Sequence, residues 1–278
     1  MRATEHHILH ERACPRNPRK SKEIIVTFKN RVAWVTGGGR GIGRALALAL
    51  AREGVSVAVS SRTDKEINAV AEEIRAVGSR VLAVRADAMS LSETLACAKQ
   101  IEEGLGSVDI LVNNAGGGVP QQSDPTLTPE QIDELSFIDS VDLNLFSAYR
   151  ATQAVLPGMV ERRWGRIINI GSGYAWHSGG DFAYTAAKHG IVGLTRSMAA
   201  KVALSGVCIN CLCPTWTHTQ LIDYDNWTEE QRRERTAANL QKRILQPEEL
   251  GPMGVLLASE EGHSITGQVV RVDGGDWV

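Results

Sequence analysis

Tyr184 and Lys188 stand four positions apart in the run FAYTAAKHGIVGL. In a helix that spacing puts both on one face. Free tyrosine loses its proton near pH ~10, too high for ready proton transfer at neutral pH. A neighbouring ammonium favours the phenolate and brings that value down. The pair is therefore a candidate general acid for a carbonyl being reduced, or a base for an alcohol being oxidised. Tyr-x-x-x-Lys is also an ordinary surface pair, so it needs a second motif beside it. That motif is Thr36 followed by Gly37, Gly38, Gly39, Arg40, Gly41, Ile42 and Gly43. Glycines let a backbone approach a pyrophosphate, and a helix that starts there offers free N–H groups and a positive dipole end.

These residues need elements to hold them. RVAWVT over 31–36 is a short apolar run that predicts a buried strand. RALALALAREG after the glycines predicts a helix closed by Gly54. The alternation continues with strands over 55–61, 80–85, 109–112, 166–171, 206–212 and 268–272. Helices are expected over 64–77, 91–104, 129–160 and 183–204. Strands alternating with helices imply an α/β chain: a doubly wound parallel sheet with helices on both faces, in one domain. A strand-turn-helix context turns the glycine string from a mere turn into a dinucleotide site.

The chain has 278 residues, 43% of them hydrophobic, and a net charge of −2. Such a balance exerts no long-range pull on nucleic acid or acidic lipid. No apolar run approaches the ~18 residues of a membrane helix. Five cysteines, an odd number, do not read as a secreted disulfide framework. Cys208, Cys211 and Cys213 read as packed core residues rather than metal ligands, because Cys208 falls on the opposite strand face from the other two. Residues 1–28 form a basic extension with no apolar signal core, expected to be flexible despite His6, His7 and His10; the folded domain covers 29–278. A cytoplasmic protein without metal is expected.

The glycine string resembles the TGxxxGxG motif of the short-chain dehydrogenases/reductases. Later landmarks carry the resemblance over roughly 29–278: Asp87 after the third strand, Asn113-Asn114-Ala115-Gly116 after the fourth, Asn144 in the long helix, Ser172 after the fifth strand, Tyr184-x-x-x-Lys188, and Pro214 after the sixth. The resemblance implies a single-domain Rossmann fold. It implies that Ser172 donates a hydrogen bond to the substrate oxygen, that Lys188 also holds the nicotinamide ribose, and that Asn144 supports a water relay. Asp87, Ala88, Asn114, Ala115, Gly116, Pro214, Thr217 and Thr219 become expected cofactor contacts. Two features depart from the family pattern. Ser172 and Tyr184 are twelve positions apart, one fewer than usual, and Thr215 stands where glycine commonly follows the proline.

Family members that use NAD place an acid at the end of the second strand, where this chain reads Ser60-Ser61-Arg62. With Arg40 in the glycine turn, two guanidiniums without a carboxylate suit the 2′-phosphate of NADP(H). Tyr174, Trp176, Trp216, Tyr224 and Trp227 cluster in the two segments that flank the site in this family. They favour a bulky or aromatic substrate. Residues 214–240 are the expected lid, with TEEQRRERTAANLQKRI closing it as a helix whose Arg232, Arg233 and Arg235 are solvated. The resemblance also implies a homotetramer that pairs the long helices 129–160 and 183–204.

These features favour a ketone–alcohol oxidoreductase. Alternatives are a 3-oxoacyl thioester reductase, with Arg163 as a weak candidate for a carrier dock, and a non-catalytic redox sensor. The intact Asn144, Ser172, Tyr184 and Lys188 speak against the last.

Overall fold

The computed structural model describes residues 28–118, 134–177, 181–222 and 224–276. Most of the N-terminal extension, including its histidines, lies outside the described residues, but Phe28 is buried in the core. The elements run β1 (Val32–Thr36), α1 (Gly41–Arg52), β2 (Ser56–Ser61), α2 (Asp64–Ala76), β3 (Val81–Arg85), α3 (Leu91–Gly104) and β4 (Ile110–Asn113). Then come α4 (Glu134–Val141), α5 (Ser147–Glu161), β5 (Gly165–Ile170), α6 (Phe182–Val202), β6 (Val207–Pro214), α7 (Glu229–Arg235), α8 (Gly251–Ala258) and β7 (Val269–Val272).

The seven strands form one parallel sheet in the order β3-β2-β1-β4-β5-β6-β7. Alternate side chains of each strand serve opposite faces. Ala33, Val35, Val57, Val59, Ile110 and Val112 join Leu46, Leu50, Ile67 and Ile74 of α1 and α2. Val32, Trp34, Ala58 and Leu111 join Cys97, Ile101, Val155 and Met159 of α3 and α5. Both faces are covered, which explains the near-continuous apolar runs. The chain reverses direction across the sheet between β1 and β4. In open α/β sheets that switch point leaves a crevice beyond the carboxyl ends of the strands.

Three stretches differ from the sequence expectation. The start of the long helix expected over 129–160 lies outside the described residues, and from Glu134 to Glu161 the chain is helical throughout but not uniformly α. Between α4 and α5 the backbone widens into a π-helical turn, Asp142–Phe146. The lid helix is seven residues long rather than running through 228–244. It begins at a capping box between Thr228 and Gln231. It ends in local turns, in which Ala237 and Asn239 donate to the Glu234 and Thr236 carbonyls (both 3.1 Å); beyond them the N–H groups of Leu240 and Gln241 donate to Gly275 and Gly274 (3.1 and 3.2 Å). Helix α8 was not expected. Its signal was present in Gln246-Pro247-Glu248-Glu249, a second capping box ahead of an apolar run. Gly254 lets it lie against Leu46 of α1.

Candidate active site

A cavity of about 730 Å³ opens over the carboxyl ends of the strands. At one end is the glycine turn. Gly37 and Gly41 have positive φ (62° and 53°), which glycine adopts without strain. A Cβ on Gly43 would lie 2.4 Å from the Gly37 carbonyl oxygen, so this glycine lets α1 start tight against the turn. The hydroxyl oxygen of Thr36 accepts the N–H groups of Asn114 and Ala115 (both 3.1 Å), and the Asn114 amide donates to the Gly37 carbonyl at 2.9 Å. These bonds staple β1 to β4 at the switch point. Gly37, Gly39, Arg40, Gly41 and Ile42 line the cavity, as do Asn114, Ala115 and Gly116; Gly43 stands behind them.

Ser61, Arg62, Asp87 and Ala88 close this end. The expectation of two guanidiniums without a carboxylate needs correction. Glu66 of α2 also lines the wall, and its carboxylate meets Arg40 at 3.4 Å. Arg62 is exposed and ion-pairs with none of the described residues. Asp64 lies near Arg85 instead, at 3.8 Å.

Ser172, Tyr184 and Lys188 meet at the middle of the same cavity. Asp181 caps α6 by accepting the Tyr184 N–H at 2.6 Å, which puts Tyr184 in the first turn. Lys188 is buried and donates to the Ile170 carbonyl at 3.0 Å; its Nζ lies 5.4 Å from the Tyr184 ring centroid. Ser172 caps a short 3₁₀ turn by accepting the Tyr174 N–H at 3.3 Å. Among the described residues none accepts its hydroxyl proton, which can point at a ligand.

Asn144 sits in the π-helical turn, behind the wall. Its amide donates to the Gly117 and Ser140 carbonyls (2.9 and 3.0 Å), and its oxygen accepts the Gly117 N–H at 2.9 Å. Both side-chain protons are therefore spent on the protein. A Cβ on Gly116 would meet Asn144 Oδ1 at 2.8 Å and Lys188 Nζ at 3.5 Å, so the bare glycine holds open the space between them.

Pro214, Thr217 and Thr219 line the wall beyond β6. Thr215, at the family's usual glycine, donates its hydroxyl proton to Asp276, a buried carboxylate from the C-terminal loop. Cys211 and Cys213 lie directly under Gly171, with their sulfurs 3.5 Å apart. Among the described residues no cluster could hold a metal ion, and no helix is long and apolar enough to cross a membrane.

Of the five aromatic residues expected in the pocket, Tyr174 and Trp216 line it; Trp176, Tyr224 and Trp227 do not. Trp176 packs into the core with Ala148 and Ile191, and the Arg271 guanidinium lies over its ring at 4.5 Å. Trp227 is buried edge-on against Trp216 (5.5 Å) and Tyr224 (5.3 Å), so these rings back the wall. The lid arginines are not simply solvated either. Arg235 lines the cavity, and Arg232 lies over Tyr224 at 4.8 Å. Tyr174 meets Tyr184 edge-on at 6.2 Å, and burial, then the neighbouring Tyr184, pushes its phenol above the ordinary tyrosine value. Sequence reading missed His177, Glu66 and Asp276, which have no motif of their own.

The family model for short chain dehydrogenases matches residues 31–230 of this chain. The chain belongs to the short-chain dehydrogenase family. This short-chain dehydrogenase is similar to 3-oxoacyl-acyl-carrier-protein reductase of Vibrio harveyi, 36% identical over 252 residues, 90% of this chain and 98% of that one. It is 32% identical over 249 residues to a (2S)-[(R)-hydroxy(phenyl)methyl]succinyl-CoA dehydrogenase subunit of Thauera aromatica, covering 89% of this chain and 97% of the relative. Among solved structures, a variant of actinorhodin polyketide ketoreductase with NADPH superposes with a TM-score of 0.80 at 32% identity, covering 88% and 96% of the two chains. The dehydrogenase is thus an oxidoreductase of a family that works with a nicotinamide cofactor. Its glycine turn fits such a group, because a Cβ at Gly37 would come within 2.9 Å of the Ala115 Cα and narrow the cleft that the pyrophosphate needs.

Proposed function

We propose that this protein interconverts a ketone and a secondary alcohol with NADP(H), acting on a bulky or aromatic substrate. The observation that carries this reading is the meeting of Ser172, Tyr184 and Lys188 in one cavity with the glycine turn. Arg62, free of any ion pair with the described residues, is suited to the 2′-phosphate. The cofactor would rest on Gly37–Gly43, with Thr217 and Thr219 toward the carboxamide and Lys188 toward the ribose.

When bound, the reduced nicotinamide supplies the hydride. Lys188 keeps two of its three N–H donors after the bond to Ile170. Its Nζ lies 5.4 Å from the Tyr184 ring centroid. Tyr184 gives its proton to the carbonyl oxygen as negative charge develops there. Ser172 donates its hydroxyl proton to the same oxygen, and this pre-aimed donor stabilises the developing charge. Asn144 positions the loop after β4 by clasping Gly117. Tyr174 and Trp216 supply flat apolar wall, which suits a ring-bearing substrate.

A 3-oxoacyl thioester is the second reading, drawn from the Vibrio harveyi relative. Arg163 of this chain is exposed but already donates to the Leu204 carbonyl at 3.2 Å, so its support for a carrier dock is thin. The deciding experiment follows NADPH oxidation over a panel of aryl ketones, quinones and 3-oxoacyl thioesters. Aryl ketone turnover is expected, and Tyr184→Phe should cut it by ~10²-fold or more with NADPH affinity kept. Binding of NADPH with no turnover across the panel would favour the redox sensor.

A further inference from the structure

Arg235 is the cation at the substrate end of the cavity, and it ion-pairs with none of the described residues. It closes α7, and its guanidinium carbon lies 4.4 Å from the Trp227 ring centroid and 5.4 Å from that of Trp216. The other arginines of that helix are placed differently. Arg232 reaches the Tyr224 and Asp225 carbonyls (3.5 and 3.4 Å), and Arg233 is exposed away from the cavity.

Two indoles around a guanidinium hold it by cation–π attraction. Among the described residues no hydrogen bond or ion pair occupies its N–H groups, so the fork is available to a planar anion. The charge acts on the reaction side of the cavity. Arg235 opposes the upward push that burial exerts on the Tyr174 phenol, and Tyr174 touches Tyr184 edge-on.

Three carboxylates share this part of the wall, and all bear on what Arg235 binds. Asp181 caps α6 beside Tyr184. Glu234 is exposed to solvent. Asp276 is buried, takes a hydrogen bond from Thr215, and would lie 3.8 Å from a Cβ on Gly173, next to Ser172. Its negative charge disfavours a second anion beside Ser172, while Arg235 attracts one at the lid. The field therefore orients a bifunctional substrate, with its carbonyl toward Ser172 and Tyr184 and its anionic end toward α7.

We infer that Arg235 anchors a carboxylate on the substrate, so that the enzyme prefers oxo acids, and hydroxy acids in reverse, to neutral ketones of the same skeleton. This inference rests on the ketone–alcohol reading above.

The test uses 4-oxo-4-phenylbutanoate and its methyl ester, which share one aryl ketone and differ by one charge. Binding of each to the full chain with NADP⁺ is measured by calorimetry, and turnover with NADPH is measured separately. The acid should bind more tightly than the ester. Arg235→Gln should weaken the acid selectively, by roughly 10- to 100-fold, the loss of a charge-assisted pair. Arg235→Lys keeps the charge without the fork and should retain an intermediate preference that fades with salt. Arg233→Gln should move neither ligand. Equal wild-type binding of acid and ester, or equal losses in Arg235→Gln, would overturn the anchor. Selective binding of the acid with no NADPH oxidation would leave the anchor standing and overturn the reductase reading instead.

Discussion

Asn144 holds Gly117 by both of its backbone groups, accepting the N–H and donating to the carbonyl at 2.9 Å each. Gly117 is buried, so these two groups have no water to turn to. Its φ of 149° is one that side-chain-bearing residues rarely adopt. The clasp thereby fixes the path of the chain from β4 past Gly116, which lines the cavity.

Asn144→Ala should leave both Gly117 groups unpaired, at about 1–3 kcal/mol for each buried group. The melting temperature should fall by several degrees, and kcat should fall with it as the wall beside Lys188 loosens. Asn144→Asp keeps the acceptor and loses the donor, so it should land between the two. Differential scanning calorimetry alongside steady-state kinetics checks both; an unchanged melting temperature in Asn144→Ala would contradict the clasp.

The cofactor choice turns on Arg62. Arg40 already faces Glu66, whereas Arg62 pairs with none of the described residues. Arg62→Ala should raise the KM for NADPH by roughly 10-fold or more, the worth of a charge-assisted bond to phosphate, and leave that for NADH nearly unchanged. Arg40→Ala should also weaken NADPH, because its removal leaves the Glu66 carboxylate unneutralised beside the phosphate site. Equal shifts for the two cofactors in Arg62→Ala would make it a surface residue.

Trp227 is buried behind Trp216 and Arg235 rather than lining the cavity. Trp227→Ala empties a large volume there, and such truncations cost about 3–5 kcal/mol when the site cannot collapse. That loss should fall on the lid, seen as faster proteolysis near α7. The KM of every neutral ketone should rise together while NADPH affinity holds. A changed ranking among neutral ketones, with lid protection intact, would mean that the indole reaches substrate after all.

The outer face of α4 and α5 exposes Leu135, Phe137, Ile138, Phe146 and Tyr149. An exposed apolar patch of this kind is where a second copy of the chain would associate. Light scattering at micromolar concentration should report a tetramer, and Ile138→Glu with Phe146→Glu should shift it to smaller species. A wild-type monomer would refute the assembly.

The sequence by itself determined the order and type of most elements. A strand buried on both sides must be apolar nearly throughout, and a crossover helix must be long, so β1 through β6 and α1 through α3 are written in local patterns. Much of the candidate site was legible for the same reason: Tyr184 and Lys188 are related by one helix turn, and the glycine turn is continuous in sequence. Asn144 was legible only as a motif, since its two bonds to Gly117 span twenty-seven positions. What only the tertiary structure decided comes from contacts between distant segments. The lid helix gives way to turns after Arg235, and the chain beyond them is tied by Leu240 and Gln241 to the 273–276 loop. Glu66 reaches Arg40 from a different helix, and Asp276 reaches Thr215 across sixty-one positions. Aromatic clustering in sequence could not distinguish a ring that faces the cavity from one that backs it. Tyr174 and Trp216 differ from Trp176 and Trp227 only in which side the folded backbone turns toward the open space.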